Sequence, residues 1–170
     1  MILVEADVSG EWDSKEGWEA LAGEAVRAAV AESGWAKLLE SELAVEVSVR
    51  FTGDEEVRKL NADWRGKDKP TNVLSFPMFE AAVLPSLGEL QGGEVLLGDV
   101  ALAYGVCARE AGEKAIPLRH HAAHLIVHGT LHLLGHEHEG DEAQADEMES
   151  AERRALAALG VGDPYEVHQG

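Results

Sequence analysis

Residues 128–138 read His-Gly-Thr-Leu-His-Leu-Leu-Gly-His-Glu-His, which sets His128, His132 and His138 in an H-x3-H-x5-H array with Gly135 in the second gap. The first two histidines are four residues apart. On a helix this spacing stacks them on one face, with Cβ atoms roughly 5–6 Å apart, so both imidazoles can reach one ion. Gly135 suits the left-handed turn that ends a helix, and the reversed chain can return His138 to the same ion. Three neutral nitrogen ligands with a fourth position open to water form the arrangement of a catalytic zinc rather than a structural one. His124 shares the helix face at i, i+4, i+8, but it stands about 12 Å of helix rise from His132. One ion cannot bind His124, His128 and His132 together, so His138 is preferred as third ligand. His124 is then a core residue or one that orients a ligand. Seven of the eight histidines fall between His120 and His138; of these, His120, His121 and His136 read as solvated or structural.

A missing residue narrows the chemistry. Zincin peptidases carry a glutamate general base directly after the first histidine, in H-E-x-x-H. Here that position is Gly129. A metal-activated water without the peptidase's base points to hydrolysis of something other than a peptide.

The elements that must position these residues are legible from periodicity. Residues 2–8 read as a short strand, and 16–32 as an amphipathic helix with Leu21, Ala22, Ala25, Val26, Ala29 and Val30 on its apolar face. Residues 43–51 alternate, with Val45, Val47 and Val49 on one side, as a half-buried strand does. Thr52, Gly53 and Asp54 supply a turn and cap before a helix over 55–64. A polar loop follows, with Arg65, Lys67, Lys69 and Asn72 as partners for phosphate or carboxylate. It leads into a short strand over 73–76 stopped by Pro77. Residues 80–93, with Pro85, Gly88, Gly92 and Gly93, read as a mobile loop or hairpin connection. A strand over 94–103 is interrupted at Gly98-Asp99, and a helix runs from Tyr104 to about Gly112. Pro117 suits the first turn of the histidine helix, which runs to Leu134. Leu125, Ile126, Leu131, Leu133 and Leu134 place that helix in the interior. An acidic helix spans 141–159. The sum is one α+β domain over residues 1–170, a small mixed sheet of three to four strands packed with about five helices, with the metal site on a central helix and its following turn.

Composition bounds the partners. With a 45% apolar fraction and 27% charged residues, this is the make-up of a soluble globular chain. No basic leader region or long apolar run is present, so the expectation is a cytoplasmic protein with no membrane span. The lone Cys107 reads as a small buried hydrophobe. A net charge of −18 argues against nonspecific nucleic-acid binding. The charge is uneven, however: six of the fourteen Lys and Arg residues fall between Arg50 and Lys69, while Glu137 to Glu152 holds eight carboxylates and no Lys or Arg. That allows a local basic site on an acidic body, with the acidic helix read as a solvated face. The sparse aromatics (four Trp, two Tyr, three Phe) argue against a base-stacking platform. They favour recognition by backbone charge, weakly sequence-specific and inhibited by salt.

The segments His124-Leu-Ile-Val-His-Gly-Thr-Leu-His-Leu-Leu-Gly-His-Glu-His138 and Arg65-Gly-Lys-Asp-Lys-Pro-Thr-Asn-Val-Leu-Ser-Phe-Pro77 together resemble the signatures of the YbeY family, bacterial metal-dependent endoribonucleases of rRNA maturation. Leu97-Gly-Asp99-Val and the terminal Asp163-Pro-Tyr165 are similar to the family as well, and the resemblance covers most of the chain from about residue 43. His136 departs from it, standing where the family commonly has tyrosine. The resemblance implies one Zn2+ per chain, or another divalent metal, on His128, His132 and His138. It makes Arg65 the family's functional arginine. From their chemistry alone, Lys67 and Lys69 are either substrate-binding groups for the flanking backbone or part of an exposed loop ion-paired with Asp68. It also implies action on single-stranded regions of rRNA, in 16S rRNA 3′ end processing and ribosome quality control, with the ribosome or its proteins as partners.

Two roles stay open at this level. Asp99 is either an acid that orients a ligand or a turn residue at a strand kink. The general base is either Glu137, between the ligands, or dispensable if the RNA's own 2′-hydroxyl attacks. Two other functions compete with the nuclease. A metallopeptidase-like hydrolase would cleave casein in a zinc-dependent way. A non-catalytic, zinc-containing ribosome assembly factor would unfold when His128 is replaced by Ala.

Overall fold

The computed structural model describes residues 1–136 and 142–165. Four strands, β1 (Ile2–Val8), β2 (Ala44–Thr52), β3 (Val73–Pro77) and β4 (Glu94–Ala103), form one sheet in the order β1-β2-β4-β3. The first three neighbours run parallel, and β3 closes the edge antiparallel to β4. Six helices accompany them among the described residues: α1 (Trp18–Glu32), α2 (Asp54–Arg65), the four-residue α3 (Leu84–Leu87), α4 (Tyr104–Lys114), α5 (Leu118–Leu133) and α6 (Glu142–Ala158). None is long and apolar enough to cross a membrane. The mixed α+β architecture expected from periodicity is the one observed.

Alternation decides what each sheet face does. Val47 pairs with Gly98, Val49 with Val100 and Phe51 with Leu102, and all six are buried on the face covered by α1 and α5. α6 packs in turn on α1 and α5. The intervening residues, among them Ser48, Arg50, Asp99 and Ala101, point to the other face. There α2 covers β3 and β4, with Val57 and Leu60 meeting Leu74, Phe76 and Ala103 in a second, smaller core.

Three local expectations change. β4 is not interrupted at Gly98-Asp99: its register with β2 shifts between Glu46 and Val47, leaving Leu97 as the extra residue of a bulge. The strand then continues, so Asp99 is a paired strand residue opposite Phe76 and Ser48, not a turn residue. A Cβ on Gly98 would lie 2.6 Å from Leu133 Cδ2 and 2.5 Å from the Phe76 carbonyl oxygen. Glycine is what lets α5 and β3 close in together here. Asp54 does not cap its own helix. It is the first residue of α2, and its Oδ1 instead accepts the Val106 backbone N–H at 3.2 Å, in the first turn of α4. Within 80–93, short helical turns occupy 81–87.

Cys107 is buried as expected, its thiol pushed up to about 12 by burial and by the nearby Glu110 and Asp54 carboxylates.

Candidate metal centre and basic cleft

α5 starts after Pro117 and ends in a left-handed glycine turn. Gly135, at φ 89°, donates its N–H to the His132 carbonyl at 3.1 Å, and His136 donates to the Leu131 carbonyl at 3.0 Å. These are the two bonds of a Schellman cap. The inner face of α5, with Ile126, Val127, Gly129, Leu131 and Leu133, is sealed against the core. His124, His128 and His132 lie along a half-buried edge.

The i, i+4 pair comes together as the spacing predicts. His128 Nε2 and His132 Nε2 are 3.1 Å apart, with the rings edge to face. Two nitrogens each ~2.0–2.1 Å from one tetrahedral zinc stand about 3.3 Å apart. Nitrogens this close share either a proton or a cation, and the donor set of two imidazoles fits zinc. Among the described residues no third His, Cys, Asp or Glu completes a metal-ligating group with them. His138, the expected third ligand, and Glu137 lie outside the described residues.

A carboxylate hidden in the acidic helix holds this pair. Glu152 of α6 is fully buried, beside Met148, Ala151, Ala155 and Leu156. Its Oε1 lies 2.6 Å from His128 Nδ1, and its Oε2 lies 3.2 Å from His124 Nε2 and also accepts the Tyr165 hydroxyl. Burial by itself would raise the Glu152 carboxyl. The bonds from His124, His128 and Tyr165 outweigh it and hold the group well below the usual carboxylate range. An ionised carboxylate only accepts hydrogen bonds, so His128 carries its proton on Nδ1 and turns Nε2 towards His132.

His124 directs Nε2 to Glu152, and its Nδ1 is buried without a hydrogen-bond partner among the described residues. It therefore supports the site rather than joining the pair. His136 donates to the Ser33 carbonyl at the end of α1, at 2.9 Å, and His121 pairs with Glu110 at 2.9 Å. Both are structural; His120 is half-buried at the start of α5.

Reading the acidic helix as a solvated face missed Glu152. The signal was present in its spacing: Met148, Glu152 and Leu156 recur every four residues along an otherwise apolar stripe. In the sequence, Tyr165 stands out only within the Asp163-Pro-Tyr165 motif.

Gly129 has a packing reason to be glycine. A Cβ there would meet Val100 Cγ1 at 3.0 Å and Cγ2 at 3.2 Å, on the sheet side of α5. A glutamate at this position would enter the core and not the edge that carries His128 and His132.

Arg65 ends α2, where the helix dipole favours a cation. Alone among the eight arginines, its guanidinium makes no hydrogen bond or ion pair among the described residues. Arg50, by contrast, is held by Glu56 at 2.5 Å, and Arg58 by Glu55 and Asp68. Arg65 lines an open cleft of about 640 Å³ with Arg50, Trp64, Phe76, Met78 and Asp99. This cleft is on the α2 side of the sheet, and neither His128 nor His132 lines it. Its floor at Pro77 pairs with Gly98, which packs against Leu133, the residue after His132. Lys67 and Lys69 are exposed in the following loop, outside the cleft lining. That loop is tied down by Asn61 Nδ2 donating to the Lys69 carbonyl at 2.8 Å. Asn72 donates to Glu110 at 3.0 Å and accepts from the Val73 N–H at 2.7 Å, a structural role.

Comparison with known proteins identifies the family and the fold. The family profile described as endoribonuclease YbeY matches residues 9–160. An endoribonuclease YbeY from Rhizorhabdus wittichii is 53% identical over 98% of this chain and 98% of its own. One from Sphingopyxis alaskensis is 50% identical over 97% of this chain and 98% of its own. A solution structure of a Thermotoga maritima protein shares the fold, with TM-score 0.54 and 20% identity over 97% of this chain and 100% of that one. A profile spanning most of the residues, and relatives aligned nearly end to end, place this chain in the YbeY endoribonuclease family.

Proposed function

We propose that this chain is a zinc-dependent endoribonuclease that cuts single-stranded RNA, with ribosomal RNA at the 16S 3′ end as its cellular substrate and ribosomal proteins as neighbours. His128, His132 and His138 would hold the ion, and Arg65 would contact the scissile phosphate. The observation that carries this reading is Arg65, a guanidinium left without a protein partner in an open cleft among the described residues.

An arginine fork matches a phosphate and stabilises charge that grows on its oxygens. A zinc ion, when bound, supplies a Lewis acid for a phosphoryl oxygen and brings the pKa of water to about 7. The chain's own residues do the positioning. Glu152 fixes the proton of His128 on Nδ1, which would leave Nε2 as the nitrogen that holds the ion. The α5 end packs through Leu133 against the sheet at Gly98, which pairs with Pro77 of the cleft floor. Lys67 and Lys69 would meet flanking phosphates. The metallopeptidase alternative loses support at Gly129, whose Cβ position faces Val100.

The test offers zinc-loaded protein a single-stranded RNA, its duplex form and casein, each with and without chelator. Metal-dependent cleavage of the single strand alone is expected. Casein cleavage with intact RNA would transfer the site to a peptidase. A substrate with 2′-deoxyribose at the cut separates attack by the neighbouring hydroxyl from attack by water.

A further inference from the structure

Trp64 precedes Arg65 in the last turn of α2 and is 72% exposed, the most exposed large hydrophobic side chain among the described residues. Trp12 and Trp18, by contrast, are 3% and 1% exposed. Its ring centroid lies 6.2 Å from that of Phe76, at 59°. Phe76 therefore braces the indole without covering it. Met78, 52% exposed, lines the same cleft, as do Arg65 and the Asp99 carboxylate. Two exposed apolar side chains thus converge on the cleft that holds the Arg65 guanidinium, unpartnered among the described residues.

An exposed indole beside a free cation is the combination that binds unpaired nucleotides: the base stacks on the ring and the phosphate meets the charge. Resting on the nuclease reading above, we propose that this cleft seats one unstacked nucleotide of the RNA, its base on Trp64 and its phosphate on Arg65. Asp99 repels phosphate from the floor and offers an acceptor to the N–H groups of the base edge. A base inside a duplex is already stacked on both faces, so the cleft selects single strands by itself. The sparse aromatics argued against a sheet of stacking rings. A single ring at the helix end needs no such sheet, and one base per strand keeps sequence preference weak.

The test is tryptophan fluorescence and affinity on the intact zinc-loaded protein. The probes are a 2′-O-methyl oligoribonucleotide, which resists attack by its own sugar, and the same oligomer with abasic sites. Stacking predicts saturable quenching by the base-bearing oligomer. Affinity should fall about tenfold in Trp64→Leu and recover to within about threefold in Trp64→Phe, which keeps a ring. The abasic oligomer should bind wild type no more tightly than the base-bearing one binds Trp64→Leu. Circular dichroism confirms that the exposed position leaves the fold intact. Equal affinity of wild type and Trp64→Leu, or of base-bearing and abasic oligomers, overturns the proposal. So does a Trp64→Leu variant that keeps its RNA affinity but loses binding to a protein partner. If wild type still cleaves RNA in those cases, only the subsite fails; if wild type neither binds nor cleaves RNA, the nuclease reading itself fails.

Discussion

Glu152 Oε1 lies 2.6 Å from His128 Nδ1 across the packing of α6 on α5, and this fixes which nitrogen of His128 faces His132. A buried carboxylate behind a histidine sets the tautomer and orientation of the ring and raises its basicity as a ligand. Three donors converge on Glu152, so the charge is compensated where it is buried.

Glu152→Gln keeps an acceptor near His128 but removes the charge. Zinc affinity, measured by competition with a chromophoric chelator, should weaken by about 10–100-fold, with the fold retained. Glu152→Ala leaves His124, His128 and Tyr165 without their acceptor. Urea denaturation should show a loss of about 1–3 kcal/mol for each buried donor left unsatisfied. Unchanged zinc affinity in Glu152→Gln would show that the contact packs the helices and does not orient the ligand.

The pair of His121 and Glu110 makes stability depend on pH. Burial, aided by Lys114, pushes the His121 ring below its ordinary value against the opposing Glu110 bond. Burial would raise Glu110, but its bonds from His121 and Asn72 hold it low. Protonated His121 would also carry an Nδ1–H with no acceptor among the described residues. Both groups bind protons more readily in the unfolded chain, so their contribution is present at high pH and lost as pH falls. The His121 share starts to go below about 6.5 and the Glu110 share below about 4.5. Urea midpoints at about pH 7.5 and about pH 5.5 should therefore differ more in wild type than in His121→Gln. Equal differences would remove His121 from the account.

Gly129→Glu would restore the peptidase spelling H-E-x-x-H but places the side chain against Val100. Overpacking of this kind costs about 1–3 kcal/mol, and burying a carboxylate adds to it. The variant should show a lowered urea midpoint and no gain of casein cleavage. A stable variant with peptidase activity would mean that position 129 faces the ion.

What could be read along the chain was whatever depends on short spacing. The four-residue step from His128 to His132, the glycine that turns the chain at 135 and the alternation of Val45, Val47 and Val49 are local, and each is realised. What could not be read depends on which distant element arrives. Asp54 sits in the first turn of one helix and serves the backbone of another, 52 residues away. The side to which Asp99 points is set by a bulge at Leu97 and by pairing with Phe76. Glu152 is one of eight carboxylates between Glu137 and Glu152, and only the docking of α6 separates it from exposed neighbours such as Glu142, Asp146 and Glu147. Trp64 and Phe76 are twelve residues apart along the chain and meet because α2 folds back over β3.

The central claim is that the histidine pair and Arg65 serve one phosphodiester cleavage from two sides of the sheet edge. Its most direct test is the single-turnover rate on single-stranded RNA for zinc-loaded wild type, His132→Ala and Arg65→Ala, with bound zinc measured in each. His132→Ala should lose both zinc and cleavage. Arg65→Ala should keep zinc and lose about 100-fold or more in rate. Cleavage by both variants at the wild-type rate would contradict the account.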